Sequence, residues 1–244
     1  MAARHKRKWL RRTLLTAIAI AVAGGIGFAV WRLWIHPVVA ISIVEYPIRG
    51  IDVSAHNGDI DFGRVRDDSI SFVYIKATEG VSFVDSTFER NYERALTAGI
   101  PVGAYHFFRF DMNGTLQAKH LLRNISGKVF DLPLVIDVEQ HGNPEVVTGS
   151  VLFRLRDMVD YLRIVNPNII IYTNANGYER FYQGNFEDCD LWICRFRQLD
   201  PNLPWLMWQY SHWGSVAGVD GDVDLDVFNG QQAAFERLLG DYSY

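Results

Sequence analysis

The sequence predicts an α/β chain: an irregular (β/α) TIM-like barrel with abbreviated last strands, preceded by one N-terminal transmembrane helix. Three observations predict it. A basic cluster leads into a charge-free apolar run near the amino terminus. Strand-like and helix-like segments then alternate, with strand starts about 20 to 35 residues apart, the rhythm of parallel βα units. Past residue 190 the strand-like segments stand only about 15 to 18 residues apart, too close for full crossover helices, so the last strands are expected to be partly antiparallel.

Arg4, Lys6, Arg7, Lys8, Arg11 and Arg12 supply 6 of the 24 basic residues, and the first acid is Glu45. Residues 1–12 therefore form a basic cytoplasmic tail. Thr13 to Trp31 carries no charge over 19 residues, close to the roughly 20 that span a bilayer as a helix. Residues 13–34 are expected to be a signal-anchor helix, with Trp9, Trp31 and Trp34 as interfacial anchors. The positive flank places the rest of the chain outside the cytoplasm, held by the lipid bilayer of a bacterial inner membrane and facing periplasm or wall. The alternative is secretion after signal-peptide cleavage near Ala21-Val22-Ala23. Residues 35–48, with Pro37 and Pro47, read as a linker, and residues 49–244 as the barrel.

From residue 13 onward 18 basic residues face 28 acidic ones. That balance excludes an electrostatic grip on nucleic acid, which needs a basic surface. Strands are predicted at residues 49–54, 72–78, 101–108, 134–139, 168–173, 191–194, 206–210 and 224–228. Helices are predicted at 86–98, ended by Gly99, at 115–125, at 147–165 and, closing the chain, at 231–239. Asp61 is placed to cap a further short helix. Cys189 and Cys194 leave two readings open, a disulfide permitted by export or two separate buried thiols.

The stretch Leu132 to Gln140 organises the chemistry. Pro133 opens an apolar β-favouring run, and Asp137 and Glu139 follow two residues apart, on one face of a strand. Two carboxyls emerging together repel, so one pKa rises while the other group stays ionised. The bland reading is a strand end dipping into solvent. Asp52, Glu79 and Asp224 also come at strand ends, where barrels keep functional residues. Tyr105, His106, Tyr172, Trp192, Trp208, Gln209 and Tyr210 come from neighbouring strands. Carboxylates beside aromatic faces suit sugar cleavage: an acid protonates the leaving oxygen, negative charge steadies an oxocarbenium-like centre, and flat rings bind sugar faces. A hard cation is the competing reading, but no Asp-x-Asp-x-Asp-Gly loop or His-x-x-x-His pair occurs, and no metal or cofactor is expected. His106, in an apolar run, reads as a satisfied structural histidine, and Glu79 as structural beside a turn at Gly80. A serine nucleophile lacks its Gly-x-Ser-x-Gly setting.

Five motifs in order carry a resemblance: Gly50-Ile51-Asp52-Val53-Ser54, Ile75-Lys76-Ala77-Thr78-Glu79-Gly80, Gly103-Ala104-Tyr105-His106-Phe107, Asp137-Val138-Glu139 and Val223-Asp224-Leu225-Asp226-Val227-Phe228. Together they resemble glycoside hydrolase family 25, the Chalaropsis-type lysozymes or N-acetylmuramidases, over residues 49–230. The resemblance implies an irregular (β/α) barrel that hydrolyses the β-1,4 bond between N-acetylmuramic acid and N-acetylglucosamine in the peptidoglycan glycan strand. It implies Glu139 as proton donor, with Asp137 tuning it or steadying the substrate acetamido group, and Asp52 and Asp224 as the remaining acids. Tyr105, Tyr172, Trp192 and Gln209 are the expected sugar contacts. Asp61-Phe62, His56-Asn57 and Asp226 depart from the family pattern, Asp226 standing where an Asn is common. A chitinase-like glycosidase would need acids at Leu132 and Val135. A catalytically idle peptidoglycan-binding protein would be marked by loss of Glu139 or Asp137, and a membrane scaffold leaves the acidic and aromatic residues unexplained.

Overall fold

The computed structural model describes residues 2–30, 39 and 41–244, in two compact units, Met1–Val39 and Ala40–Tyr244. In the first unit Ala2–Val30 is one helix. Its charge-free stretch from Thr13 to Val30 covers about 27 Å at ~1.5 Å per residue, short of the roughly 30 Å hydrocarbon core. Among the described residues no helix is long and apolar enough to cross a membrane. Trp31 and Trp34, and with them the end of the predicted span and residues 35–38 and 40 of the predicted linker, lie outside the described residues.

In the second unit eight strands close into a barrel: β1 Arg49–Val53, β2 Phe72–Glu79, β3 Val102–Phe107, β4 Leu134–Asp137, β5 Ile169–Asn174, β6 Asp190–Cys194, β7 Met207–Gly214 and β8 Val223–Phe228. Neighbours in sequence pair in parallel from β1 through β7. Only β8 runs against its neighbours, bonding β7 on one side and β1 on the other. The abbreviated half is therefore more regular than its spacing implied. β6 and β7 stay parallel because residues 195–206 return as an extended loop rather than a helix, with Leu206 N–H donating to Leu191 O at 2.7 Å.

Helices Phe88–Ala98, Gly114–Ile125 and Thr148–Arg163 cover the outside, and Asp61 caps helix Phe62–Asp67 by accepting from Arg64 N–H. Two motif glycines have a packing cause. A Cβ on Gly50 would sit 2.2 Å from the Phe72 ring, and one on Gly103 would sit 2.1 Å from the Tyr74 ring. Both backbones give their inward volume to a neighbouring strand's aromatic residue. These rings belong to the core, with Val135, Ile170, Trp192 and Phe228. The closing helix Gln232–Leu238 inserts Phe235 against Phe72 and Phe228, at ring-centroid distances of 5.6 and 5.4 Å. Ile48, in the predicted linker, is buried in this same core.

Candidate active site

β4 ends at Asp137, and Glu139 stands two residues beyond it. The alternation nevertheless continues, so both carboxyls enter one cavity of about 670 Å³ in the second unit. Asp52 from β1, Tyr105 from β3, Tyr172 from β5, Trp192 from β6, Gln209 from β7 and Asp224 from β8 line the same space. All eight residues expected at the site are thus brought together. The period of two decides the others. His106 points away from Tyr105 and is fully buried, its Nδ1 2.7 Å from Thr78 Oγ1 and its Nε2 3.2 Å from Gln117 Oε1. Burial there pushes its pKa down to about 3, leaving a neutral structural ring. Trp208 and Tyr210, grouped with the site aromatics by sequence, flank Gln209 on the opposite face; Trp208 packs on Tyr46 and Trp205 and donates to Arg195 O. Glu79 pairs with Lys76 at 2.9 Å and Arg109 at 3.4 Å beside the Gly80 turn, away from the cavity lining.

The loop carrying Glu139 is pinned. Asn143 donates from Nδ2 to Glu139 O and to Phe108 O, and Arg180 donates to Gln140 Oε1. Asn174, at the end of β5, caps the next short helix through Oδ1, and its Nδ2 donates to Glu139 Oε1 at 3.4 Å. The predicted strand 168–173 stops one residue short of Asn174, whose role carried no signal of its own. Sequence reasoning missed His141, although Asp137, Glu139 and His141 share one spacing of two. Phe196 and His212 complete the rim from positions without a local signal, while Cys194 lies in the lining and Cys189 outside it. Both cysteines are free, buried thiols.

The cavity is acidic, and every site carboxyl is raised. Burial is the largest cause for each. Glu139 is raised, with the Asn174 hydrogen bond and nearby His141 opposing the shift. Asp137 lies well above the carboxylate range through burial and the Glu139 charge. Asp224 reaches about 9 and Asp52 about 6, the latter restrained by the Gln209 hydrogen bond. Like charges this close cannot all ionise, so the cluster keeps protons at neutral pH. Asp137 Oδ1 is buried and has no hydrogen-bond partner among the described residues. Among the described residues no group of three or more His, Cys, Asp or Glu could hold a metal ion.

A family model described as "Glycosyl hydrolases family 25" matches residues 51–219. The chain belongs to that family. Its family 25 barrel superposes on the structure of a family 25 glycosyl hydrolase from Bacillus anthracis with a TM-score of 0.74, at 34% identity over 81% of this chain and 95% of that one. An autolytic lysozyme of Clostridium acetobutylicum is 34% identical over 75% of this chain, which spans 56% of that enzyme's length. An N,O-diacetylmuramidase of Arthroderma benhamiae is 33% identical over 92% of this chain and 97% of its own. These relatives are glycoside hydrolases, and the family 25 barrel shares their class.

Proposed function

We propose that this family 25 chain is a membrane-anchored muramidase, hydrolysing the β-1,4 bond between N-acetylmuramic acid and N-acetylglucosamine in peptidoglycan. The observation that carries the reading is the Asp137–Glu139 pair at the head of β4, opening into a cavity walled by Tyr105, Tyr172 and Trp192. Glu139 is the general acid. It is the less enclosed of the pair, and burial keeps its carboxyl raised enough to hold a proton. An acetamido N–H of the sugar donates to the Asp137 carboxyl, which lines the cavity. A hydrogen bond to a carboxylate favours its ionised form, so substrate binding moves the pair's shared proton towards Glu139. Glu139 then protonates the leaving oxygen, while ionised Asp137 aligns the acetamido group for attack on the anomeric carbon. The names of the relatives, an autolytic lysozyme and an N,O-diacetylmuramidase, support the substrate.

Anchoring rests on the sequence: six basic residues precede Thr13 to Trp31, a run without charge. It places the barrel outside the cytoplasm, acting on wall near its own membrane. Secretion after cleavage near Ala23 is the competing outcome, and fractionation of cells separates the two. Full-length chain in the membrane fraction, released only by detergent, supports the anchor; a shortened chain in the medium removes it.

The activity is tested on the full chain in mild detergent beside its Glu139→Gln variant. Each is incubated with purified peptidoglycan, and the fragments are reduced with borohydride and weighed by mass spectrometry. New reducing ends at muramic acid, lost by ~10²-fold or more in the variant, are expected. Reducing ends at glucosamine would overturn the linkage, and wall binding without release would make the protein an idle binder.

A further inference from the structure

Asp226 lies on β8 two residues after Asp224, beneath the cavity floor, with none of its surface exposed. Its Oδ1 accepts the indole N–H of Trp192 at 3.1 Å. Its Oδ2 is buried and has no partner as an acceptor among the described residues. Gln209, the β7 residue in register with Asp226, donates to Asp52, so the two carboxyls are neighbours beneath the cavity. Ionised carboxylates only accept, so two of them cannot bond. A contact between them therefore needs one proton.

The surroundings decide which carboxyl holds it. Asp52 borders the open cavity and receives a charge-stabilising bond from Gln209 Nε2 at 2.7 Å. Asp226 receives one neutral donor. The groups facing it are Asp52 on β1, Tyr74 on β2, Trp192 on β6, Gln209 on β7, and Asp224 on its own strand. None of them is a cation. A buried carboxylate with two acidic neighbours and no positive partner is costly, and the neutral acid is not.

We propose that Asp226 works as a neutral carboxylic acid, a positioning residue whose Oδ2–H donates to Asp52 and holds that group ionised and aimed into the cavity. This proposal rests on the reading of Asp52 as a working carboxylate of the muramidase site. In the neutral form every polar atom is matched: Oδ1 accepts from Trp192 and Oδ2–H donates to Asp52. An asparagine in this place would offer the same acceptor and donor without a proton to lose. Burial and the neighbouring carboxyls lift Asp226 far above the carboxylate range, whereas Asp52 is raised only to about 6.

The full chain is studied beside Asp226→Asn and Asp226→Leu by two readouts. The infrared C=O stretch of protonated carboxyls, recorded at neutral pH without substrate, should lose one carboxyl's intensity in Asp226→Asn. The acidic limb of the kcat/KM profile on peptidoglycan should stay in place for the Asn variant, which keeps the donor. In the Leu variant it should move up by about one pH unit, a tenfold change in acid constant. An undiminished stretch in Asp226→Asn would overturn the proposal, because Asp226 would then be ionised. So would coincident limbs for a folded Leu variant and the Asn variant. The stretch requires no turnover, so its loss in an inactive protein would uphold the proton on Asp226 and overturn only the muramidase reading.

Discussion

Gln209 on β7 donates from Nε2 to Oδ2 of Asp52 on β1 at 2.7 Å, joining residues 157 apart in the chain. The Oε1 of the same amide accepts the Tyr172 hydroxyl from β5 at 2.9 Å. One side chain thus ties three strands together beneath the cavity and favours the ionised form of Asp52.

Replacing Gln209 with Leu removes that donor. The Asp52 carboxyl, now at about 6, rises, so a larger share is protonated at mildly acidic pH. Activity that needs Asp52 ionised should fail at a higher pH, with the acidic limb of kcat/KM displaced upward by about one unit. An unmoved limb in a folded variant would detach Asp52 from the activity profile.

Stability should fall as the solution becomes alkaline. Asp224 has a folded pKa of about 9, against about 3.9 in an unfolded chain. Its protonated form is favoured by folding, so the associated stabilisation is complete below the unfolded value and is lost as pH rises towards the folded one. The thermal midpoint should decline between about pH 5 and pH 9, and Asp224→Asn should flatten the decline. Equal slopes for parent and variant would contradict this account.

The interior leaves no room at Gly103, where a Cβ would meet the Tyr74 ring at 2.1 Å. Gly103→Ala should destabilise the barrel by about 1–3 kcal/mol through overpacking, measured by denaturant unfolding. Gly149→Ala serves as the control, because nothing lies within 4 Å of its added Cβ. Similar losses in both would point to backbone conformation rather than to packing.

Cys189 and Cys194 should both resist alkylation in the native protein and both react in denaturant without prior reduction. They are free and buried, and burial pushes the Cys189 thiol up to about 12. Intact mass spectrometry counts the added groups. A requirement for reductant would reveal a disulfide.

Much of this was legible in the sequence, for local reasons. Runs ending in Asp52 and Asp137 marked strands whose ends carry carboxyls, and the spacing of two placed Asp137 and Glu139 in one space. The same period separates Gln209 from Trp208 and Tyr210, and applying it would have sent those two rings to the outer face. Other features depend on which strands become neighbours. β7 stays parallel although no helix precedes it, because an extended loop suffices to return the chain, and spacing alone does not separate that path from a hairpin. Asn174 meets Glu139 once β4 and β5 pair, Asp226 meets Trp192 across β7, and Gln209 meets Asp52 only once β8 pairs with β1. Residue pattern along a strand determines which side chains point inward. Strand pairing and closure determine which of them touch, and among buried carboxyls it is touching that decides where the protons stay.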